Sequence, residues 1–423
     1  MTTAAIIGLS IFLLGYVGIT LEHKINVNKA AFALLSGTIL WVLVGIVSPT
    51  KIDEHIIEAG FDIFGVTLFL LGAMALVEIL IHYRIFDIIR DRILARNLSL
   101  RAQFFMIIGL AFTSSIFIAN MVATIIMIQI ARRFFWGQNL LVAAIAIVFA
   151  TNAGGAFSPI GDVTTIMLWI AGKFSSAEIL IQGFLPALVI GIISTLMLSR
   201  KIVIEETIRP QVVPEEHLTR GETVIVISAM LSFLLPVVAK MLNLPPVIGI
   251  LFGVGFTWAV VDIVKGVSRC RTHLTASIEN LVQKTDIASI KFFVGILLAV
   301  SALSTLGVLE YISQFIYGSS QTTVSIISGN ILIGVISALL DNIPLTAIAI
   351  DILHTSNTSL WVLLSIAVGT GGSLLPIGSA AGVVAMGMIK ELTFKQYVRI
   401  GFVPAMLSFL AGVGVWGLQV FGF

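Results

Sequence analysis

The chain has 423 residues, of which 58% are hydrophobic and 11% charged, with a mean hydropathy of +1.09. Soluble domains carry about 25% charged residues, so this composition excludes an ordinary soluble domain and predicts an integral membrane protein whose surroundings are the lipid bilayer. The net charge of +2 is too small to indicate nucleic-acid binding, and the single cysteine excludes an intramolecular disulfide.

The first half of the chain is predicted to hold three spans, a hairpin, a broken helix and a closing span. A transmembrane helix needs roughly 17–25 mostly apolar residues. The continuous spans lie near 4–21, 30–48, 60–82 and 180–199. The stretch 103–134 has polar residues at its centre (Thr113 to Ser115 and Asn120), which lipid cannot accommodate, so it is predicted to be a re-entrant hairpin. The stretch 139–172 is interrupted by glycine and proline and is predicted to be a broken helix.

The second half repeats this order. Its continuous spans lie near 222–240, 244–264, 288–312 and 398–420. A second hairpin is predicted over 323–353, around Asp341-Asn342-Ile343-Pro344, and a second broken helix over 359–390. Its Pro376-Ile377-Gly378 follows a glycine pair, as Pro159-Ile160-Gly161 does in the first half. The chain is thus predicted to be all-α, with about ten transmembrane spans, two re-entrant hairpins and two broken helices.

Charges at the ends of these segments predict the topology. Lysine and arginine concentrate in one set of connections, which the positive-inside rule places in the cytoplasm: 22–29, 83–102, 131–138, 200–221, 265–287 and 391–397. Both termini are then outside, and the two hairpins open to opposite sides. The interpretation is a secondary transporter built from two inverted repeats, residues 1–199 and 222–423, joined by a cytoplasmic linker at 200–221.

The breaks carry the chemistry expected of a cation site. Half-helices that end in the membrane leave backbone carbonyls unpaired, and such oxygens, with those of Asn, Ser and Thr, suit a small hard cation such as Na⁺. The predicted cation-binding residues are Asn120, Thr151, Asn152, Gly154, Ser158, Asn342, Thr370, Gly371 and Ser373.

Three carboxylates are predicted to couple cation and proton binding: Asp162, Asp341 and Glu78. Asp162 and Asp341 could hold Na⁺ when ionised and protons when not, which is the minimum for exchange. Asp162 has a simpler alternative as the N-cap of the following half-helix. Glu78 lies near a span end, where it could instead reach the interface or pair with Arg84.

The segment NAGGAFSPIGDVTT at 152–165 closely resembles the signature of the NhaD family of sodium/proton antiporters, and 70–78 and 292–295 are also similar to NhaD segments. The resemblance implies an inverted-repeat fold with a transport domain and a scaffold domain that often forms a homodimer. It implies alternating-access exchange of cytoplasmic Na⁺ or Li⁺ for external H⁺ across a bacterial inner membrane, without a cofactor. The chain departs from the family at the first hairpin tip, where Ala119 replaces the usual Asp.

Two other classes of function were weighed. The nearest is a sodium-coupled symporter of a small carboxylate or another anion on the same fold, although Asp341 at a hairpin tip would repel an anion. A channel fits less well because it would not need two opposed hairpins. A membrane-embedded enzyme fits less well because the sequence has no phosphate-binding loop, zinc-ligand spacing or nucleophile elbow. The prediction is therefore an antiporter and not an enzyme.

Overall fold

The structure, a computed structural model, describes residues 2–21, 25, 27–49, 52–85, 88, 99–203, 218–267 and 287–422. Helices of the first half are α1 (Thr3–Thr20), α2 (Lys29–Val47), α3 (Ile52–His82), α4 (Leu100–Ser114), α5 (Asn120–Ala131), α6 (Gly137–Ala156), α7 (Val163–Ile170) and α8 (Ser176–Ser199). Those of the second half are α9 (Arg220–Ser232), α10 (Leu235–Met241), α11 (Pro246–Val267), α12 (Ile287–Thr305), α13 (Val308–Tyr317), α14 (Thr323–Ile336), α15 (Asn342–Ile352), α16 (Thr358–Gly371), α17 (Ala380–Met388) and α18 (Phe394–Phe421).

The described part of the chain is helical, which confirms the all-α prediction. Within it, seven helices are long and apolar enough to cross a bilayer, or eight if the bent pair formed by α12 and α13 is one span. The protein is therefore a multi-pass membrane protein. Most of the predicted linker, at 204–217, and most of the predicted basic loops, at 89–98 and 268–286, lie outside the described residues.

Two predicted spans are interrupted. The segment predicted as one span over 288–312 ends as α12 and turns by 90° into α13. Gly307 makes this turn in the left-handed region, at a φ of 71°, where an L-residue would be strained. The segment predicted over 222–240 is found as one candidate span, Arg220–Met241, counted among the seven; a short turn divides it into α9 and α10 just before Pro236, which stands in the first turn of α10 and has no N–H to continue the ladder.

The helices pack into two groups. The first group consists of α1 to α3 and α9 to α13, and the second of α4 to α8 and α14 to α18. The main contacts between the groups join α12 and α13 to the unit formed by α14 and α15, and α3 to α7. At the centre of the second group, α6 and α16 are buried almost all round, as expected for helices that are apolar on every face.

At each break, the chain at the end of the Pro-Ile-Gly segment returns to within contact distance of the second glycine of the preceding pair. A Cβ on Gly155 would lie 2.8 Å from the carbonyl oxygen of Gly161, and one on Gly372 would lie 2.7 Å from the carbonyl oxygen of Gly378. The two breaks therefore share the same backbone path. This close approach explains why the sequence has glycine at both positions.

The preceding glycine of each pair serves a second contact. A Cβ on Gly154 would overlap the carbonyl oxygen of Phe112 in α4, and one on Gly371 would overlap the carbonyl oxygen of Gly334 in α14. In each half, the first helix of the predicted hairpin, α4 or α14, thus lies directly against the backbone at the break. These contacts leave no room for a side chain.

We expect Gly154→Ala to destabilise the fold, because its new methyl group meets backbone rather than a flexible side chain. Overpacking of this kind costs about 1–3 kcal/mol, seen as a lower midpoint of thermal unfolding in detergent. Gly109→Ala in α4 is the control, since a Cβ there meets nothing within 4 Å. Equal midpoints for the two variants would contradict the proposed close packing.

Candidate functional site

Three helix ends meet inside the second group. The C-terminal end of α6 carries Asn152, α5 begins at Asn120, and α7 begins after Asp162. Asp162 is the N-cap of α7, and its Oδ1 accepts a hydrogen bond of 3.4 Å from the backbone N–H of Thr164. The cap fixes where α7 starts, and thereby directs the carboxylate toward the other two helix ends.

A hydrogen-bonded cluster joins these ends to the second half of the chain. The Nδ2 of Asn120 donates to the Oδ1 of Asn152 at 3.0 Å and to the Oδ2 of Asp162 at 3.1 Å. The Nδ2 of Asn152 donates to the Oγ of Ser373 at 2.8 Å and of Ser379 at 3.0 Å. We call these five residues the amide–carboxylate cluster. Within this cluster, Asn152 is the side chain that contacts both halves.

The cluster is buried and has no positive charge of its own. Asp162 is 2% exposed and Asn152 0%. Among the described residues, no lysine, arginine or histidine nitrogen lies within ion-pair distance of the Asp162 carboxylate. Burying an ionised carboxylate without a basic partner costs several kcal/mol, and a bound proton or cation at Asp162 would lower that cost. Amide and hydroxyl oxygens around it are suitable ligands for a hard cation.

Hydrogen bonds between hydroxyl groups join the helices that surround the cluster. Thr151 Oγ1 lies 2.7 Å from Thr124 Oγ1, so the predicted residue Thr151 contacts α5 instead of pointing at Asp162. On the other side, Thr165 Oγ1 lies 3.0 Å from Ser365 Oγ, and the Ser365 hydroxyl donates to the carbonyl of Ala156 at 2.8 Å. These bonds hold α5, α6, α7 and α16 together around the carboxylate.

Four other predicted ligands lie elsewhere. The hydroxyl of Ser158 donates to the carbonyl of Ile116, and that of Thr370 donates within its own helix to Ile366. Gly154 and Gly371 serve the close backbone contacts described above. Their place in a cation site stays a prediction.

The second hairpin tip occupies a different setting. The N-cap of α15 is Asp341, whose side chain accepts from the backbone N–H of Ile343 and forms an ion pair with Lys29. Its carboxylate is within electrostatic range of Asp162. The carbonyl of Asn342 accepts from the Thr346 hydroxyl at 2.9 Å, as the carbonyl of Asn120 accepts from Thr124 at 2.8 Å. The two tips therefore share their local geometry but not their charge.

Glu78 lies half-buried in α3, in the first helix group and outside the amide–carboxylate cluster. Its predicted coupling role stays a prediction. Two residues of these sites, Ser379 and Lys29, were not predicted. Ser379 could have been found, since it follows Pro376-Ile377-Gly378 as Asp162 follows Pro159-Ile160-Gly161. No local pattern joins Lys29 to Asp341, which lies 312 residues away.

A cavity of about 420 Å³ separates the two helix groups near the ends of α7 and α15. Its walls come from α3 and α12 on one side and from α7 and α15 on the other. Lys173 and Asp351 contribute charged groups to it.

Comparison with known proteins gives consistent matches along the chain. A family model described as citrate transporter matches residues 16–369. The chain is 31% identical over 421 residues to "Sodium/proton antiporter 2" of Arabidopsis thaliana, covering 95% of this chain and 98% of that protein. It is 30% identical over 445 residues to the "Na(+)/H(+) antiporter NhaD" of Alkalimonas amylolytica, covering 96% of this chain and 90% of that protein. The similarity therefore extends over the whole helical framework.

We expect Asn152→Ala to lower stability, because it leaves the Asn120 amide and two serine hydroxyls short of a partner in a buried site. Loss of such a partner costs about 1–3 kcal/mol, measured as a fall in the thermal unfolding midpoint in detergent. Asn139→Ala is the control, since Asn139 is only half-buried and water can replace its bonds to Val203. A midpoint for Asn152→Ala no lower than that of the control would argue against the cluster.

Proposed function

This chain belongs to the citrate transporter family, a family of transporters rather than enzymes, and we propose that it exchanges cytoplasmic Na⁺ or Li⁺ for external H⁺. The resemblance to NhaD antiporters predicted from residues 152–165 is confirmed by relatives that carry this name. The activity printed in the names of these relatives is the starting point for the proposal. The site of this chain supplies the physical reason.

The observation that carries the proposal is the burial of Asp162 in a cluster of amide and hydroxyl groups, with no basic side chain of the described residues at ion-pair distance. A proton and a Na⁺ ion each neutralise one carboxylate, and they cannot do so at the same oxygens together. The cluster can therefore move through the membrane with either cation, whereas the empty, ionised form is costly to keep away from water. Strict alternation between the two cations amounts to exchange.

A sodium-coupled symporter of a small carboxylate is the second candidate, and the family description supports it. An anionic cargo needs a basic or strongly donating partner, yet the amide–carboxylate cluster already bears a negative group. Asp341 adds another nearby. Electrostatics therefore favours a cation as the cargo.

We interpret the architecture as two inverted repeats, residues 1–199 and 222–423. The helices α4, α5, α14 and α15 have 15, 12, 14 and 11 residues, fewer than the roughly 17 needed to cross a bilayer, which supports two re-entrant hairpins. Matching hydrogen bonds also support the repeat. Ser115 Oγ donates to the carbonyl of Thr151 at 2.7 Å, and Ser337 Oγ donates to the carbonyl of Val368 at 3.0 Å.

Transport proceeds in this proposal by movement of the second helix group against the first. The second group carries the cluster and both interrupted units, while the first remains fixed in the bilayer and joins two copies of the chain as a homodimer. Both termini lie outside, and the protein resides in a bacterial inner membrane. The cavity between the groups gives the movement a place to occur.

Everted membrane vesicles test the exchange. After respiration has acidified the interior, added Na⁺ should dissipate the pH gradient, followed with a fluorescent pH indicator. For Asp162→Asn we expect a rate lower by about tenfold or more, because the variant loses charge-assisted bonds to the cation. Asp262→Asn is the control, since Asp262 lies exposed in α11. Full activity of Asp162→Asn would reduce Asp162 to a helix cap.

The same vesicles separate the two candidate functions. We expect Na⁺ and Li⁺ to dissipate the gradient and K⁺ to do so weakly. Right-side-out vesicles with an inward Na⁺ gradient should not accumulate labelled citrate or a labelled dicarboxylate. Accumulation of either anion that requires Na⁺ would favour the symporter instead.

A further inference from the structure

An ion pair and a hydrogen bond connect the two helix groups at the second hairpin tip. The Nζ of Lys29, at the start of α2, lies 3.5 Å from the Oδ2 of Asp341, at the start of α15. The backbone N–H of Asp341 donates to the Oη of Tyr16 in α1 at 2.6 Å. Because α1 and α2 belong to the first group and α15 to the second, movement between the groups must break both contacts.

Lys29 is held at this place for a reason other than helix stability. It is the first residue of α2, where the helix dipole disfavours a positive charge. Its Nζ also lies 4.3 Å from the centre of the Phe292 ring in α12, which itself packs against α2. The ring and the carboxylate together compensate a cation that the helix alone would not favour.

The approach of α12 to α2 depends on a segment that the sequence analysis singled out for its family resemblance. A Cβ on Gly295 would lie 2.5 Å from the backbone N of Leu34. Glycine therefore lets α12 come close enough to place Phe292 beneath the ammonium group. The scaffold around Lys29 is thus built by backbone contact and does not rely on flexible side chains.

We propose that the Lys29 ammonium is a tethered competitor of the transported cation for the Asp341 carboxylate, and that displacing it releases the second helix group from the first. The inference rests on the proposed function. One carboxylate can be neutralised by the ammonium, by Na⁺ or by a proton, but by only one of them at a time. Cation loading at Asp341 therefore frees the hairpin tip, and the return of Lys29 expels the cation.

Partial exposure makes this competition reversible. The side chains of Lys29 and Asp341 are 26% and 12% exposed, so the pair is neither sealed in the interior nor fully in water. Lys29 would thus act on the transported cation through the Asp341 carboxylate. It sets how tightly the cation is held and how readily it leaves.

Lys29→Met, which keeps the unbranched side chain at nearly the same length and removes its charge, tests the inference in reconstituted vesicles. The KM for Na⁺ should fall about fivefold, the upper end expected for loss of a partly exposed ion pair, while the maximal rate falls because release is slower. Lys29→Arg should retain a KM close to that of the unsubstituted protein. Lys395→Met is the control, since Lys395 is exposed near the start of α18.

Calorimetric titration of Na⁺ into the purified proteins gives a second readout that needs no transport. A Kd about fivefold lower for Lys29→Met supports the inference even if this variant cannot complete the cycle. An unchanged or higher KM and Kd for folded Lys29→Met would overturn it. If the unsubstituted protein neither exchanges nor binds Na⁺, the proposed function fails; if it does both and Lys29→Met matches it, only the role of Lys29 fails.

Discussion

The architecture depends on how a carboxylate can be buried when no basic side chain in the described part of the chain lies beside it. Asp162 lies in such a place, and every element around it supplies something that lipid cannot. The interrupted helices bring their ends to the carboxylate, and amides and hydroxyls orient toward it. A continuous bundle would have offered only apolar surface at this depth. The interruptions therefore serve both to satisfy the backbone and to create the site.

The duplicated backbone and the unduplicated charge have different consequences. Ser379 occupies the place in the second break that Asp162 occupies in the first. Both belong to the same cluster: Ser379 accepts from Asn152, and Asp162 accepts from Asn120. At the hairpin tips the carboxylate is in the second half, where Asp341 precedes Asn342, while Ala119 precedes Asn120 in the first. The halves thus contribute one carboxylate each, and the second is placed where the two helix groups meet. One carboxylate lies in the interior of the second helix group and the other at its boundary with the first.

Much of this arrangement could be predicted from the sequence because lipid imposes strict rules on polar residues and helix breakers. Polar residues within 103–134 and 323–353 located the interrupted units, and Asn120, Asn152, Asp162 and Ser373 were all predicted and do meet in one cluster. The hydroxyl of the predicted ligand Ser158, by contrast, donates to the backbone carbonyl of Ile116. Contacts such as Lys29 with Asp341 could not be foreseen, since they join distant segments through packing. The bend at Gly307 was also missed, because a single glycine in an apolar run is compatible with a continuous helix as well as with a bend.

The glycine-defined breaks have a further consequence for how such a protein can diversify. The backbone path at each break is fixed by contacts between main-chain atoms, which are insensitive to the side chains next to them. The residues at positions 119 and 379 can then differ between related chains while the main-chain contacts that define the breaks stay the same. A family that includes citrate carriers and sodium/proton antiporters is what such a division between frame and charge would produce.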